Sequence, residues 1–472
     1  MIATDMTIFL DTTLDDLYSL DSDEPHGVVT AYPHPSQPSR AMPHPFSSEH
    51  FLYGITFPNT TAPDAMQNIL ERGIAQRYSF IAGRAPVILF DSLPATTDAE
   101  SQNKPEQPPP PAIADILTLH AQLHPPQRPK LQFPRNASAI APLPPNTQIA
   151  IIVPQDELAH LPHILPPETH YHLLSKRWLA LSSLPTPTSI IIDPTTPPTA
   201  DHLAAIEAEI TRMLRPIQTH PSLPFVIKVS VAASGRGTFL IRSEPDRSDA
   251  CIRLRAILHT SFPHVTPQNA HLHPLALILQ PFVAGEAHGI SFFLTQTGRA
   301  IFHAASRQQF NAQGQWCGGW VSFPAQHRLK ERYWGVVVAV AESLHAEGYY
   351  GPVGADVMTE ENGGRHVIVD VNPRVTGSYH LGLLRGHFVG RGLMEVAVLS
   401  PLYVVGDRSG WVRRFAREIE EGRMIVTAWV QGVEGGRSYV AVTVGGEDER
   451  RLKRLVGEVE AIVREGESGV GE

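Results

Sequence analysis

The sequence predicts a mixed α/β and α+β protein, and three observations carry that reading. Short apolar segments rich in Val and Ile recur along the chain, separated by stretches whose apolar residues fall at helical spacing. Between residues 62 and 161 strands and helices alternate, the pattern of a small α/β layer. Proline, 43 residues in all, crowds into Pro33–Pro45, Pro105–Pro111, Pro125–Pro134 and Pro162–Pro198 and nearly vanishes beyond residue 380. The front third is therefore loop-rich, and the back half is dense in regular structure.

Residues 1–50 show little periodicity, with Met6 to Leu17 read as a strand and a turn of helix. Ala62 to Gln76 reads as a helix, Pro86 to Phe90 as a buried strand and Ile113 to Leu123 as a helix. Thr147 to Val153 is a strand, Asp156 to Leu161 a short helix, and Ser175 to Ser183 a helix that ends at Leu184-Pro185-Thr186-Pro187. Leu203, Ile206, Ile210 and Leu214 set the apolar face of a helix over Ala200 to Leu214. Strands follow at Ser189–Asp193, Pro224–Val231, Thr238–Arg242, Leu275–Phe282, Gly289–Thr295 and Arg299–Ser306. A long helix is predicted over His327 to His345, a β-hairpin after it, helical structure at Trp411–Glu421, strands at Met424–Val430 and Ser438–Val444, and a closing amphipathic helix at Glu447–Arg464. No internal repeat is present.

At 472 residues the chain has room for two to four domains. A net charge of −9 without a basic block or stripe argues against nucleic-acid binding. The two cysteines, Cys251 and Cys317, exclude a disulfide framework and point to a reducing compartment. No apolar run reaches the roughly 18–20 residues that span a bilayer, and the acidic N-terminus lacks the basic start of a signal peptide. A cytoplasmic protein is expected. The 23 histidines fall in scattered pairs and read as surface or packing residues.

Chemistry is suggested at three places. Lys228, on a strand, precedes the glycine-containing turn Ser234-Gly235-Arg236-Gly237, whose exposed N–H groups form an anion nest. By itself such a turn is also a plain hairpin connection, and it is neither a Walker nor a Rossmann loop. The strand Leu277 to Phe282 runs into Val283-Ala284-Gly285-Glu286, a hinge whose free backbone groups suit a base edge, or a buried strand with an ordinary turn. Arg307 follows the strand ending at Ser306, where its cation faces either phosphate or solvent. In the hairpin Val353 to Ser378, a turn centred on Gly363 sets Asp356 opposite Asp370, and Asn372 shares their face. Two carboxylates and an amide oxygen on one face repel unless a hard cation or Arg374 lies between them.

In this order the elements resemble the ATP-grasp superfamily of carboxylate–amine ligases over roughly residues 150–400. The proline-rich N-terminal region resembles that of fungal ATP-grasp proteins. The resemblance implies an N-terminal α/β layer followed by a two-lobed fold with antiparallel sheets. The expected division is a loop-rich region 1–135, an α/β segment 136–187, a small lobe 188–280, a large lobe 281–400 and an α+β extension 401–472. It implies ATP bound by Lys176, Lys228, Ser234, Gly235, Gly237, Gln280, Phe282, Val283 and Glu286, with Glu286 at the ribose. Asp356, Asp370 and Asn372 would hold Mg²⁺, with Mn²⁺ as the alternative, and Arg307 and Arg374 would be the catalytic cations. Asp370 stands where the family usually carries Glu. The implied partners are a small carboxylate and an amine, with no nucleic acid and no membrane, and a homodimer is left open. The 308–323 segment, with Trp316, Trp320 and Phe323, is expected to line a substrate pocket or to pack.

Overall fold

The computed structural model describes residues 7–21, 27–32, 50–53, 64–90, 111–134, 137–195, 203–232, 237–311, 314–360, 364–432 and 436–468. Their strands assort into three sheets. The first contains β1 (Gly27–Tyr32), β2 (Pro86–Leu89), β3 (Lys130–Gln132) and β4 (Thr147–Ile151) in the order β3-β2-β1-β4, every pair parallel. Parallel neighbours need crossover connections, and the helices Asp64–Ser79 and Pro111–Ala121 supply two of them. This is the expected α/β layer. Its strands come from both sides of residue 135, so the boundary expected there falls within a sheet.

The second sheet is antiparallel: β5 (Ile190–Ile192), β6 (Phe225–Val229), β7 (Thr238–Ile241) and β8 (Leu277–Pro281), in the order β5-β8-β6-β7. Helices Leu203–Gln218 and Glu244–Ser261 pack on it through Ile206, Ile210, Met213, Leu214, Leu254 and Ile257, which meet Phe225, Ile227, Val229, Leu277 and Leu279. Each such side chain contributes about 1.5–3 kcal/mol on full burial.

The third sheet has eight antiparallel strands. They are β9 (Gly285–Leu294), β10 (Ala300–Phe310), β11 (Trp316–Ser322), β12 (Gly351–Glu360), β13 (His366–Asn372), β14 (Glu395–Val405), β15 (Met424–Val430) and β16 (Arg437–Gly446). Their order is β13-β12-β9-β10-β11-β14-β16-β15. The boundary expected at residue 400 falls inside β14, and β15 and β16 continue the sheet that β9 to β13 begin. Helix Gln326–Ala346 covers one face through Leu329, Tyr333, Val337 and Leu344. A separate, larger core joins Ile8, Leu10, Leu14, Phe80 and Leu119 of the N-terminal region to Val396, Val398, Trp429 and Val442 of this sheet. Three residues, 282–284, link β8 to β9 and so connect the two antiparallel sheets. Among the described residues no helix is long and apolar enough to cross a membrane.

Candidate active site

The hairpin β12–β13 decides where the acids point. Asp356 pairs with Asp370 and Gly354 with Asn372, the register the sequence predicts. Nearer the turn the register slips by one, since Val357 pairs with Ile368 and Val369 is left over as a bulge. Strict alternation from Ile368 would turn Asp370 towards the helix Gln326–Ala346, into the apolar core that holds Val353, Ala355, Val357, Ile368 and Val371. The extra residue turns it to the opposite face, beside Asp356.

Two lysines from different elements meet β13 on that face. Lys176 is the first residue of the helix Lys176–Leu181, whose N-cap Ser175 accepts from the Trp178 amide. Its Nζ lies 3.2 Å from Asp370 Oδ1 and donates to the Ala232 carbonyl at 3.1 Å. Lys228, buried on β6 of the second sheet, donates to the Val369 carbonyl. Burial pushes its ammonium down to about 8, against the pull of Asp370 and Asp356 and with a smaller push from Lys176. The lysines thus reach from the 137–195 stretch and the second sheet to one strand of the third.

Asp356 is enclosed, and burial first and Asp370 second push its carboxyl up to about 7, against the lowering influence of Lys176, Gln308 and Arg374. Its hydrogen-bond donor is Gln308 of β10, whose Nε2 reaches Asp356 Oδ1 at 2.8 Å across Gly289 of β9. A Cβ on Gly289 would stand 2.1 Å from that nitrogen, so the contact needs glycine there. Gln308 Oε1 is buried without a partner. Arg374 Nη2 donates to Asn372 Oδ1 at 2.8 Å, and Asn372 Nδ2 to Asp370 Oδ2 at 3.3 Å. Neutral His170, held near pKa 4 chiefly by burial, donates from Nε2 to the Pro373 carbonyl at 2.9 Å and fixes the turn that carries Arg374. Ser306 and Ser378 hydrogen-bond each other at 3.2 Å beside Gly289.

The donor set fits a hard divalent cation: all oxygen, two acids from adjacent strands, with repulsion that a cation would relieve. Among the described residues no group of three His, Cys, Asp or Glu side chains gathers to hold a metal, and the further oxygen beside the two acids is the amide Oδ1 of Asn372, which accepts from Arg374.

Arg307 is not brought to this cluster. The sequence reading ends its strand at Ser306, but β10 continues to Phe310, and alternation sends Arg307 to the other face while Gln308 takes the inward place. There its guanidinium lies 5.4 Å from the Trp320 ring and 3.7 Å from Glu449. Glu286 stands half-exposed at the start of β9, 3.4 Å from Arg332, beside the hinge. Gln280 is buried and turns its Nε2 to Ser189 Oγ at 3.0 Å, leaving its backbone at the hinge. Phe282 is exposed and Val283 half-buried in the link. Gly237 accepts from the Val229 amide at 2.9 Å, while Ser234 and Gly235 lie outside the described residues. Gln308 escaped the sequence reading because the signal for it, the phase of β10 together with a glycine on the neighbouring strand, requires the pairing to be known.

Residues 219–378, which include Lys228, the hinge and the whole hairpin, match the family model of the ATP-grasp domain. The chain therefore carries an ATP-grasp domain. Among solved structures it is similar to N5-carboxyaminoimidazole ribonucleotide synthetase from Thermus thermophilus, at 15% identity over 67% of this chain and 81% of that one, with a TM-score of 0.41. It is similar also to N5-carboxyaminoimidazole synthetase from Staphylococcus aureus complexed with ADP, at 11% identity over 84% and 94%, with a TM-score of 0.46. Phosphoribosylamine–glycine ligase from Thermotoga maritima matches at 13% identity over 83% and 94%, with a TM-score of 0.45. No curated protein matches the sequence.

Proposed function

We propose that the protein is an ATP- and Mg²⁺-dependent ligase that activates a carboxylate as an acylphosphate and joins it to an amine. The observation that supports this best is the convergence of Lys176 and Lys228 on the strand bearing Asp370 and Asn372. Two cations facing two partly buried acids is the arrangement expected where polyphosphate and a metal ion meet. ATP would lie between the second and third sheets with its base at the 280–283 hinge and its ribose near Glu286. Lys176 and Lys228 would exchange their present partners for phosphate oxygens. Asp356, Asp370 and Asn372 would hold Mg²⁺ (or Mn²⁺), which supplies charge neutralisation at the β- and γ-phosphates. Gln308 would keep Asp356 oriented and ionised.

The substrate carboxylate, clamped by Arg374, attacks the γ-phosphorus through one oxygen, and the bond to the β–γ bridging oxygen breaks to release ADP. The amine then attacks the acyl carbon, and phosphate leaves with the former carboxylate oxygen. Arg307, on the other face, has no part in this scheme. The test is ATP turnover with pooled amino acids and small acids in the presence of hydroxylamine, which traps an acylphosphate as a hydroxamate. Hydroxamate formed by the wild type and not by Asp370→Ala is expected. A phosphorylated hydroxyl with no hydroxamate would identify a kinase of the same fold instead.

A further inference from the structure

Arg77 lies in the last turn of the helix Asp64–Ser79 and is only 4% exposed. Its Nε and Nη1 are buried without a hydrogen-bond partner, and it forms no ion pair among the described residues. Arg247, which also lacks a partner at Nε, gives its terminal nitrogens to the Gln218 and His220 carbonyls. Arg77 gives none. An enclosed guanidinium without an anion is among the costlier arrangements a fold can retain, and it calls for a counter-ion.

The surroundings of Arg77 offer no anion from the described part of the protein. Its guanidinium carbon lies 5.0 Å from the Tyr78 ring and 5.4 Å from the Trp316 ring. Nearby, Tyr439 shares a hydrogen bond with Ser400, and His380, hydrogen-bonded to Thr443 Oγ1, is held neutral by burial, with a smaller contribution from Arg77 itself. The position is next to the candidate active site. Trp316 packs on Gly377, where an added Cβ would stand 2.3 Å from its ring. Gly377 belongs to the loop that runs from Arg374 to Ser378.

We propose that Arg77 recognises a second substrate carboxylate, one that the reaction does not activate, carried either by the acyl substrate or by the amine. The proposal rests on the ligase reading for its account of why such a group is there. A carboxylate suits the site better than a phosphate. One guanidinium balances one negative charge and offers the planar fork that carboxylates accept bidentately, whereas a phosphate dianion would bring a second charge to a place with aromatic walls and no second cation among the described residues.

The experiment compares the wild type with Arg77→Met, which keeps the length and removes the charge, and with Arg77→Lys. Without ligand, Arg77→Met should melt at or above the wild-type temperature, because an uncompensated buried charge is gone; a clear drop would mark Arg77 as structural and overturn the proposal. Tryptophan fluorescence, with Trp316 beside the site, is then titrated in Mg·ADP with the twenty L-amino acids and the C3–C6 dicarboxylates. Each ligand that binds is compared with its amide. The wild type should show saturable binding of at least one carboxylate and not of its amide. Arg77→Met should weaken it about 30-fold or more, and Arg77→Lys should recover part. A dicarboxylate hit assigns the group to the acyl substrate, and an amino-acid hit assigns it to the amine. Equal affinity in Arg77→Met, equal binding of the amides, or no binding across the panel overturns the proposal. The thermal shift with Mg·ADP is recorded in parallel: its absence from the wild type counts against the ligase reading, while the carboxylate titration still decides Arg77.

Discussion

Acidification should unfold this protein through its buried histidines. Burial holds His120, His170, His303 and His387 near pKa 4 and His380 near 3, each below the ordinary value of 6.5. All five are therefore neutral in the fold at pH 5, while the unfolded chain binds a proton at each. A histidine depressed in this way contributes fully above about pH 6.5, and its contribution is lost as pH falls from there towards the folded value. Integrating over protons bound, a shift from 6.5 to 4 lowers stability by about 2 kcal/mol per histidine between pH 8 and pH 5, or about 10 kcal/mol for the five. That is comparable to the whole stability of an ordinary fold, about 5–15 kcal/mol. Carboxylates held down by arginine, such as Glu447 near pKa 2 beside Arg423, lose their contribution only below the ordinary value of 4.5 and so stay out of this window. Asp356, raised to about 7, instead takes up its proton in the fold and offsets about one proton and about 2–3 kcal/mol of the histidine effect. Urea unfolding at half-unit steps from pH 8 to 5 measures the slope, expected to correspond to between about three and four protons taken up on unfolding at pH 5. His303, whose Nε2 is enclosed without a partner, isolates one member. His303→Phe should remove about one proton from the slope and raise stability at pH 8 by about 1–3 kcal/mol. A flat profile between pH 7 and 5, or a less stable His303→Phe at pH 8, would refute the reasoning.

Other perturbations separate the roles of individual residues. Lys176→Met removes the counter-charge 3.2 Å from Asp370 and should lower ATP turnover by about 10²–10³-fold; turnover within a factor of two of wild type would remove Lys176 from the phosphate site. Gly289→Ala places a Cβ 2.1 Å from Gln308 Nε2, the end of a flexible side chain, and so should displace Gln308 from Asp356 with little loss of melting temperature. Raised tenfold or more, the Mg²⁺ concentration for half-maximal ATP hydrolysis would report that displacement; an unchanged value would show that Gln308 does not support the metal site. Arg307→Ala should leave kcat within about twofold, since its partners are Trp320 and Glu449, whereas Arg374→Ala should lower kcat by about a hundredfold or more. Equal losses in both would contradict the facing of β10.

The hairpin and Lys228 were readable because their signals are local: β-branched runs that can only be strands, with acids at fixed distances from a turn. Pairing of Asp356 with Asp370 follows from counting residues about Gly363, but the bulge at Val369 does not, since nothing local marks which residue will be left over. Arg307 went wrong for a related reason, since a strand taken to end four residues early leaves its last side chains without a face. The helix Glu244–Ser261 went unpredicted because Arg247, Arg253 and Arg255 interrupt its stripe of Ala250, Leu254, Ile257 and Leu258. Four strands, β1, β3, β11 and β14, were likewise missed, and the 308–323 segment, expected to line a pocket or to pack, contains β11, with Trp320 and Phe323 packed in the core. β1 pairs with β4 more than a hundred residues away, and parallel pairing at that distance is decided by packing rather than by any local pattern.

The shared core of the N-terminal region and the eight-stranded sheet governs how the molecule can be taken apart. Leu10, Leu14 and Phe80 lie in one apolar mass with Val398, Trp429 and Val442. A fragment cut at residue 188 or 400 would carry most of the candidate nucleotide site yet leave one half of that mass bare to water. The nucleotide-binding portion is thus not a cassette that can be lifted out or exchanged between proteins. Changes of substrate preference by recombination would have to move the first ninety residues and the last seventy together, as two pieces of one part.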